Sequence, residues 1–261
     1  MKKSIITLVF AFGVILMSGC AKWDGNPITK TFSIKGNYTE LEVEDAFSVF
    51  VSDTVDQVVI TAGDNIMPYV VVKEEGKTLN IYIKGWRSNR GGELKVILPY
   101  NVALTKVDLS GASDFHSAFG LKGTEVDVDL SGSSDFSCDI EADKADLDLT
   151  GASSIGGRVM ATTLDLDMSG SSDATLEGTV GTFFMDLSGA SILEKKIVNN
   201  RYSLVCDRCL GSLSGSSDAY IHSDGNINVS LSGSSELYYT GNATTRGSST
   251  TGGSSITHDQ L

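Results

Sequence analysis

One nine-residue pattern recurs along most of this chain and limits the fold more than any other feature. Val107-Asp-Leu-Ser-Gly-Ala-Ser-Asp-Phe115 and Val128-Asp-Leu-Ser-Gly-Ser-Ser-Asp-Phe136 are nearly identical, and the series continues at 147–155, 166–174, 185–193, 211–219 and 229–237. The marker glycines are Gly111, Gly132, Gly151, Gly170, Gly189, Gly215 and Gly233, with spacings of 21, 19, 19, 19, 26 and 18, and a weak further copy centres on Gly253. Within each copy apolar and polar residues alternate, which is the period of a strand. Val126, Val128 and Leu130 alternate with Asp127, Asp129 and Ser131. One face of each strand is therefore apolar and the other wet. The Ser-Gly-x-Ser between two such runs is a bend, and its glycine suits a sharp corner.

A strand-bend-strand unit cannot bury its apolar side alone, but stacked copies can. The expected fold is all-β: a right-handed parallel β-helix (β-solenoid) with coils of about 19 residues. Leu109, Leu130, Leu149, Met168, Leu187, Leu213 and Leu231 form one inward column, with Val107, Val128, Leu147, Leu166, Met185 and Val229 beside it. Ser113, Ser134, Ser153, Ser172, Ser191, Ser217 and Ser235 form a column of small residues at the corner, where close packing of coils requires them. None of the three prolines, Pro27, Pro68 and Pro99, falls in the repeats, as fully paired strands require. An antiparallel meander or sandwich is the rival geometry, but the regular copies contain no Asn-Gly or Asp-Gly hairpin turn.

The repeats occupy 101–240. Before them, 31–100 reads as a less regular β-rich region or cap. Its strand candidates are 41–43, 47–51, 58–61, 69–73, 79–83 and 94–98, with a hairpin turn at 74–77 and an exposed loop at 87–92. A cap is expected because a bare solenoid end is an open sheet edge. After the repeats, 241–261 is rich in Ser, Thr and Gly and reads as a terminal coil or a tail.

The first 19 residues read as a secretory signal, with Lys2 and Lys3 ahead of a 13-residue apolar run from Ile5 to Met17. That run is too short to span a bilayer comfortably. Leu16-Met-Ser-Gly-Cys20 resembles a bacterial lipobox, making Cys20 the expected lipidation site and 20–30 the lipidated cysteine and linker. A diacyl anchor would hold the chain on a membrane of the cell envelope, on a periplasmic or surface face. Met17 is a mild departure from the leucine usual in that motif.

The chain carries a formal charge of −13, and loss of residues 1–19 removes two lysines and no acids, leaving −15. Such a surface argues against nucleic acid as a partner. Export implies an oxidising compartment. Cys206 and Cys209 form a CxxC in the single long interval, which places them on a looped-out insertion. No βαβ pattern surrounds them and no second Cys/His pair sits at metal-ligand spacing, so a local disulfide, or two thiols closing a loop, is favoured over a redox or zinc site.

The lipobox, Phe47-Ser-Val-Phe-Val51, Val58-Val-Ile-Thr61, Gly76-Lys-Thr-Leu-Asn-Ile81 and the repeated Leu-Ser-Gly-[Ala/Ser]-Ser together resemble the head GIN domain family, adhesin-like lipoproteins of Gram-negative bacteria, over about residues 35–240. The resemblance implies a β-helical fold and a surface or periplasmic role, and it brings no catalytic residues.

No enzyme is expected. The acids follow the repeat: Asp108, Asp129, Asp148, Asp167 and Asp186 recur in one place, and Asp114, Asp135, Asp173, Asp218 and Glu236 in another. A polysaccharide-degrading β-helix would need acids that depart from the repeat and converge. His116, His222 and His258 are scattered. The expected function is a non-enzymatic adhesin or structural protein, with a host or cell-surface protein or glycan as partner. A calcium- or carbohydrate-binding module is the alternative. No cofactor is expected. Ca²⁺ is a candidate only because stacked carboxylates repel one another; screening by water and salt is the plainer account.

Overall fold

A computed structural model describes residues 25–85, 92 and 94–261. The signal segment, Cys20 and most of the 87–92 loop lie outside the described residues. The copies stack as coils of a β-solenoid, pairing in parallel and in register, which excludes the meander. Asp127–Leu130 lies against Asp146–Leu149, which lies against Asp165–Met168, and so on coil by coil. Among the described residues no α-helix occurs, and the one helical turn is a 3₁₀ segment at Met67–Tyr69.

Each coil has three sides. The first carries one aspartate of each repeat in register, at 106–109, 127–130, 146–149, 165–168 and 184–187. The second follows the glycine corner, at 114–116, 135–137, 154–156 and 173–175. The third comprises 121–123, 140–142, 159–161, 178–180 and 204–206. The predicted inward columns are all buried, and a ladder of Phe115 and Phe136, ring centroids 5.2 Å apart, lines the second side from within.

Two features explain the Ser-Gly-x-Ser corner. Gly111, Gly132, Gly151, Gly170, Gly189, Gly215, Gly233 and Gly252 all hold positive φ, between 74° and 84°. Each also lies so close to the preceding coil that a Cβ on Gly151 would sit 2.4 Å from the carbonyl oxygen of Gly132. The serine two residues on does more than stay small. Its Oγ donates to the carbonyl three residues back, as in Ser134 to Ser131 at 2.8 Å and Ser153 to Thr150 at 2.9 Å. Seven such serines are almost fully buried. Each is a polar group placed in the core with its partner supplied by its own turn.

The last corner glycine is Gly252, one residue before the expected Gly253, and strands 249–250 and 255–258 pair with 230–231 and 236–239. At the other end the regular stack begins earlier than the glycines indicate. Asp45 has φ 77° and occupies the corner below Gly111, with Phe47 in the serine column, fully buried. The expected strands of the N-terminal region all form, as does the hairpin at 74–77.

Their order is not sequential. Strand 40–43 is inserted between 78–81 and 106–109, parallel to both. Beyond 78–83 lies the antiparallel strand 70–75. On the second side 58–63 runs antiparallel to 95–97 and carries strand Pro27–Phe32 outside it. That last strand falls partly on residues expected to be linker. Reversing strand direction here ends the parallel ladder on both sides.

Candidate functional site: the outer faces of the solenoid

With the interior filled, chemistry is left to the outward side chains, which the coil register arranges in columns. On the first side Glu42, Asp108, Asp129, Asp148, Asp167 and Asp186 stand in one unbroken column. Asp127, Asp146 and Asp165 stand beside it. Lys106 interrupts the ribbon near its start, donating to Asp127 at 2.7 Å and Asp129 at 2.8 Å, and Lys144 donates to Asp146 at 2.5 Å. Away from those lysines the carboxylates repel. Partial burial, then the charges of Asp129 and Asp167, push Asp148 up to about 6. Asp165 and Asp167 are raised by burial and by their neighbours' charge.

The second series is less continuous than the sequence suggests. Asp114 and Asp135 are register partners, and so are Asp218 and Glu236, but Ser154 and Ile192 break the column between them. Beside it runs a column with aromatic ends. Phe50 stacks on His116 at 5.3 Å, and Tyr220 on Tyr238 at 4.8 Å.

The histidines do not meet. His116 stacks on Phe50, His258 on Tyr239, and the buried His222 contacts the Thr240 hydroxyl at 2.9 Å through Nδ1. Among the described residues, no group of three or more His, Cys, Asp or Glu side chains is placed to hold a metal ion.

Cys206 and Cys209 are not on the insertion. They lie on strand Leu204–Leu213, paired with Val180 and Phe183 of the coil before, both side chains buried. A register shift between Cys206 and Arg208 on the side of the next coil accompanies this placement. Both are free thiols, and contact with Cys206, then burial, raises the Cys209 thiol. Cys138 is buried too, and burial pushes it up to about 11.

The extra residues of the long interval instead form a small hairpin, Ile197–Val198 against Arg201–Tyr202, turned at Asn199 and Asn200. Both asparagines hold positive φ, 52° and 59°, as the tightest hairpin turn requires. Asn-Asn was the available signal for it. The hairpin leans on the third side and walls a groove, which sequence reasoning missed because its residues come from separate coils. One hollow of about 270 Å³ is lined by Arg158, Met160, Thr179, Val198, Arg201 and Val205 among others. A second, of about 310 Å³, shares Arg158 and Met160 and extends to Leu121, Lys122, Asp139, Ile140 and Glu141.

Three comparisons bear on this architecture. The family described as "Putative auto-transporter adhesin, head GIN domain" matches residues 37–243. A solved structure described as a "Putative lipid binding protein from Parabacteroides distasonis ATCC 8503" superposes with a TM-score of 0.78 at 19% identity, covering 91% of this chain and 98% of that one. A "putative adhesin" from the same organism gives 0.75 at 20% identity, covering 92% and 97%. Another from Bacteroides fragilis NCTC 9343 gives 0.63 at 18%, covering 90% and 97%. At these identities the likeness is one of fold. No curated protein matches the chain.

Proposed function

The chain belongs to the head GIN domain family, and from that premise we propose that it is a non-enzymatic adhesin or structural protein of the cell envelope, a stiff acidic rod that meets its partner along its sides. The observation that carries this reading is that the outward chemistry repeats with the coil rather than converging. Six acidic residues stand one above another on consecutive coils, whereas a hydrolytic site needs two carboxyls set apart across one bond. A repeated surface suits a repeated ligand, because several weak contacts on one rigid frame sum through effective concentration.

The anchor in this reading is a lipid on Cys20, supported by the lipobox-like 16–20. Among the described residues no helix is long and apolar enough to cross a membrane. The partner is a host or cell-surface protein or glycan. The names of the structural neighbours, adhesin and lipid-binding protein, are compatible with a surface role.

The test is binding of the purified protein to an array of matrix proteins and glycans, with and without Ca²⁺. Saturable binding to a defined partner, weakened by substitutions along one side of the rod, is the expected result. No binding under either condition removes the adhesive reading and leaves a structural one.

A further inference from the structure

The groove on the third side combines two things. The first is exposed apolar surface. Met160 is 50% exposed, Ile197 47% and Val198 41%, and they are among the few large apolar side chains left open to water. Met160 and Val198 line the groove itself, Met160 on its floor with Val205 and Val198 on its wall. Ile197 belongs to the same hairpin. Exposed apolar side chains gathered in a concavity, rather than scattered, mark a binding surface.

The second is uncommitted positive charge in a chain of net −13. Lys122 is paired with Glu141 at 2.6 Å and Lys196 with Glu177 at 2.9 Å. The guanidiniums of Arg158 and Arg201 have no ion pair among the described residues, and both line the same hollow; Glu177 lines it too, its charge met by Lys196, as Lys122 meets that of Glu141 in the adjoining hollow, where Asp139 also stands. The nearby Asp139 carboxylate accepts from the Arg158 backbone N–H at 2.9 Å rather than from the side chain. A guanidinium presents a planar fork of donors matched to a carboxylate.

The floor runs through Lys122, Glu141, Met160, Thr179 and Val205, which are register partners on successive coils. At about 4.8 Å per coil the groove is about 19 Å long. Its apolar stretch runs from Met160 past Thr179 to Val205, two coils or about 10 Å, with the two guanidiniums beside it, and toward Lys122 the floor is the Lys122–Glu141 ion pair.

We propose that this groove binds a long-chain carboxylate: the acyl chain lies along Met160, Val198 and Val205, and the carboxylate is held by Arg158 and Arg201. Charge complementarity chooses this occupant. An uncharged lipid leaves both guanidiniums unused, and a small anion leaves the apolar floor wet. The hairpin supplies Val198 and Arg201 to the hollow over Thr179 and Val205, while the hollow toward Lys122 is lined without it. The proposal stands apart from the adhesive reading, and either can fail without the other.

The experiment is calorimetric titration of the purified protein with palmitate, kept below its aggregation threshold. Palmitate methyl ester and butyrate serve as controls. One saturable site is expected. Arg158→Gln combined with Arg201→Gln should weaken palmitate about tenfold or more, the loss expected for charge-assisted bonds. The ester should lose a similar factor with the unaltered protein, and butyrate should not bind. Met160→Ser should weaken palmitate while leaving the melting temperature unchanged, since the side chain is half exposed. Lack of saturable binding overturns the proposal. So does binding indifferent to both arginines, butyrate binding as tight as palmitate, or association confined to vesicles of anionic phospholipid.

Discussion

Replacing Asp148 with asparagine should stabilise the protein at neutral pH and do nothing at acid pH. Asp148 sits mid-ribbon, between Asp129 and Asp167 on adjoining coils, and its carboxyl is pushed up to about 6 from 3.8, by partial burial and then by those two charges. A group whose folded pKa exceeds its unfolded value favours folding most below the unfolded pKa. That contribution disappears as pH rises through the folded one. Here the window runs from 3.8 to about 6. Above it the ionised Asp148 works against the fold.

A rise from 3.8 to about 6 corresponds to about 3 kcal/mol if unscreened. Asp148 is exposed to solvent, so salt and water reduce this to about 1 kcal/mol. A direct estimate agrees in scale: one neighbouring charge about 4.8 Å away in water costs about 0.9 kcal/mol. Asparagine keeps the shape and removes the charge. Thermal melts of both proteins, near pH 7.5 and near pH 4, should show a rise of about 2–4 °C for Asp148→Asn at the higher pH only. At about 1 M salt, where the screening length is about 3 Å, most of that gain should vanish. Destabilisation at neutral pH, an equal gain at both pH values, or a gain that ignores salt would refute the reasoning.

Gly151→Ala should cost about 3 kcal/mol, combining a strained left-handed residue with a weakened bond to the coil below. Gly156→Ala, where the nearest atom to a new Cβ is 3.9 Å away, should be tolerated; urea denaturation of the two variants checks both. Ca²⁺ and Mg²⁺ at matched ionic strength should raise the melting temperature equally, through screening of the ribbon, and a Ca²⁺-specific rise would instead point to a bound ion. Cys138, Cys206 and Cys209 are buried free thiols, so alkylation of the native, unreduced protein followed by mass analysis should leave all three unmodified, and unfolding should open all three to the reagent; a pair that stays unmodified until reduced would show Cys206 and Cys209 joined.

The repeat was legible because its causes are local. Corner glycines and alternating strands are written in short stretches of sequence, so the inward columns and the direction of stacking could be read before any coordinates. Asp45 escaped notice because a non-glycine took the left-handed corner and Phe47 replaced the serine, erasing both markers. Insertion of 40–43 between 78–81 and 106–109 has no local signature at all, since it depends on a closure between distant segments such as Ser48 and Asp114, 66 residues apart. The CxxC misled for a related reason. An interval of 26 residues says that something is inserted but not where, and the apolar neighbours Val205 and Leu210 belonged to the strand rather than to the loop. The main column of the acidic ribbon was visible as the series Asp108, Asp129, Asp148, Asp167 and Asp186, but its second column, Asp127, Asp146 and Asp165, was not picked out, and the series from Asp114 lies on another side and is broken. The groove was not visible, because Arg158 and Arg201 meet only through coil stacking and a hairpin.

The two ends of the stack differ in kind from its middle. Strand reversal closes one end, and a coil of Ser, Thr and Gly finishes the other, while each coil between them presents the next with the same backbone ladder. Such a chain can lengthen or shorten only in its interior and only by whole turns, because a fractional turn would swap inward and outward columns from that point on. Gene duplication or loss of one unit therefore changes the reach of the molecule in steps of about 4.8 Å and leaves both ends intact. Evolution holds in this fold a ruler graduated in coils, on which the separation of the two ends can be reset while each coil keeps the same contacts with its neighbours.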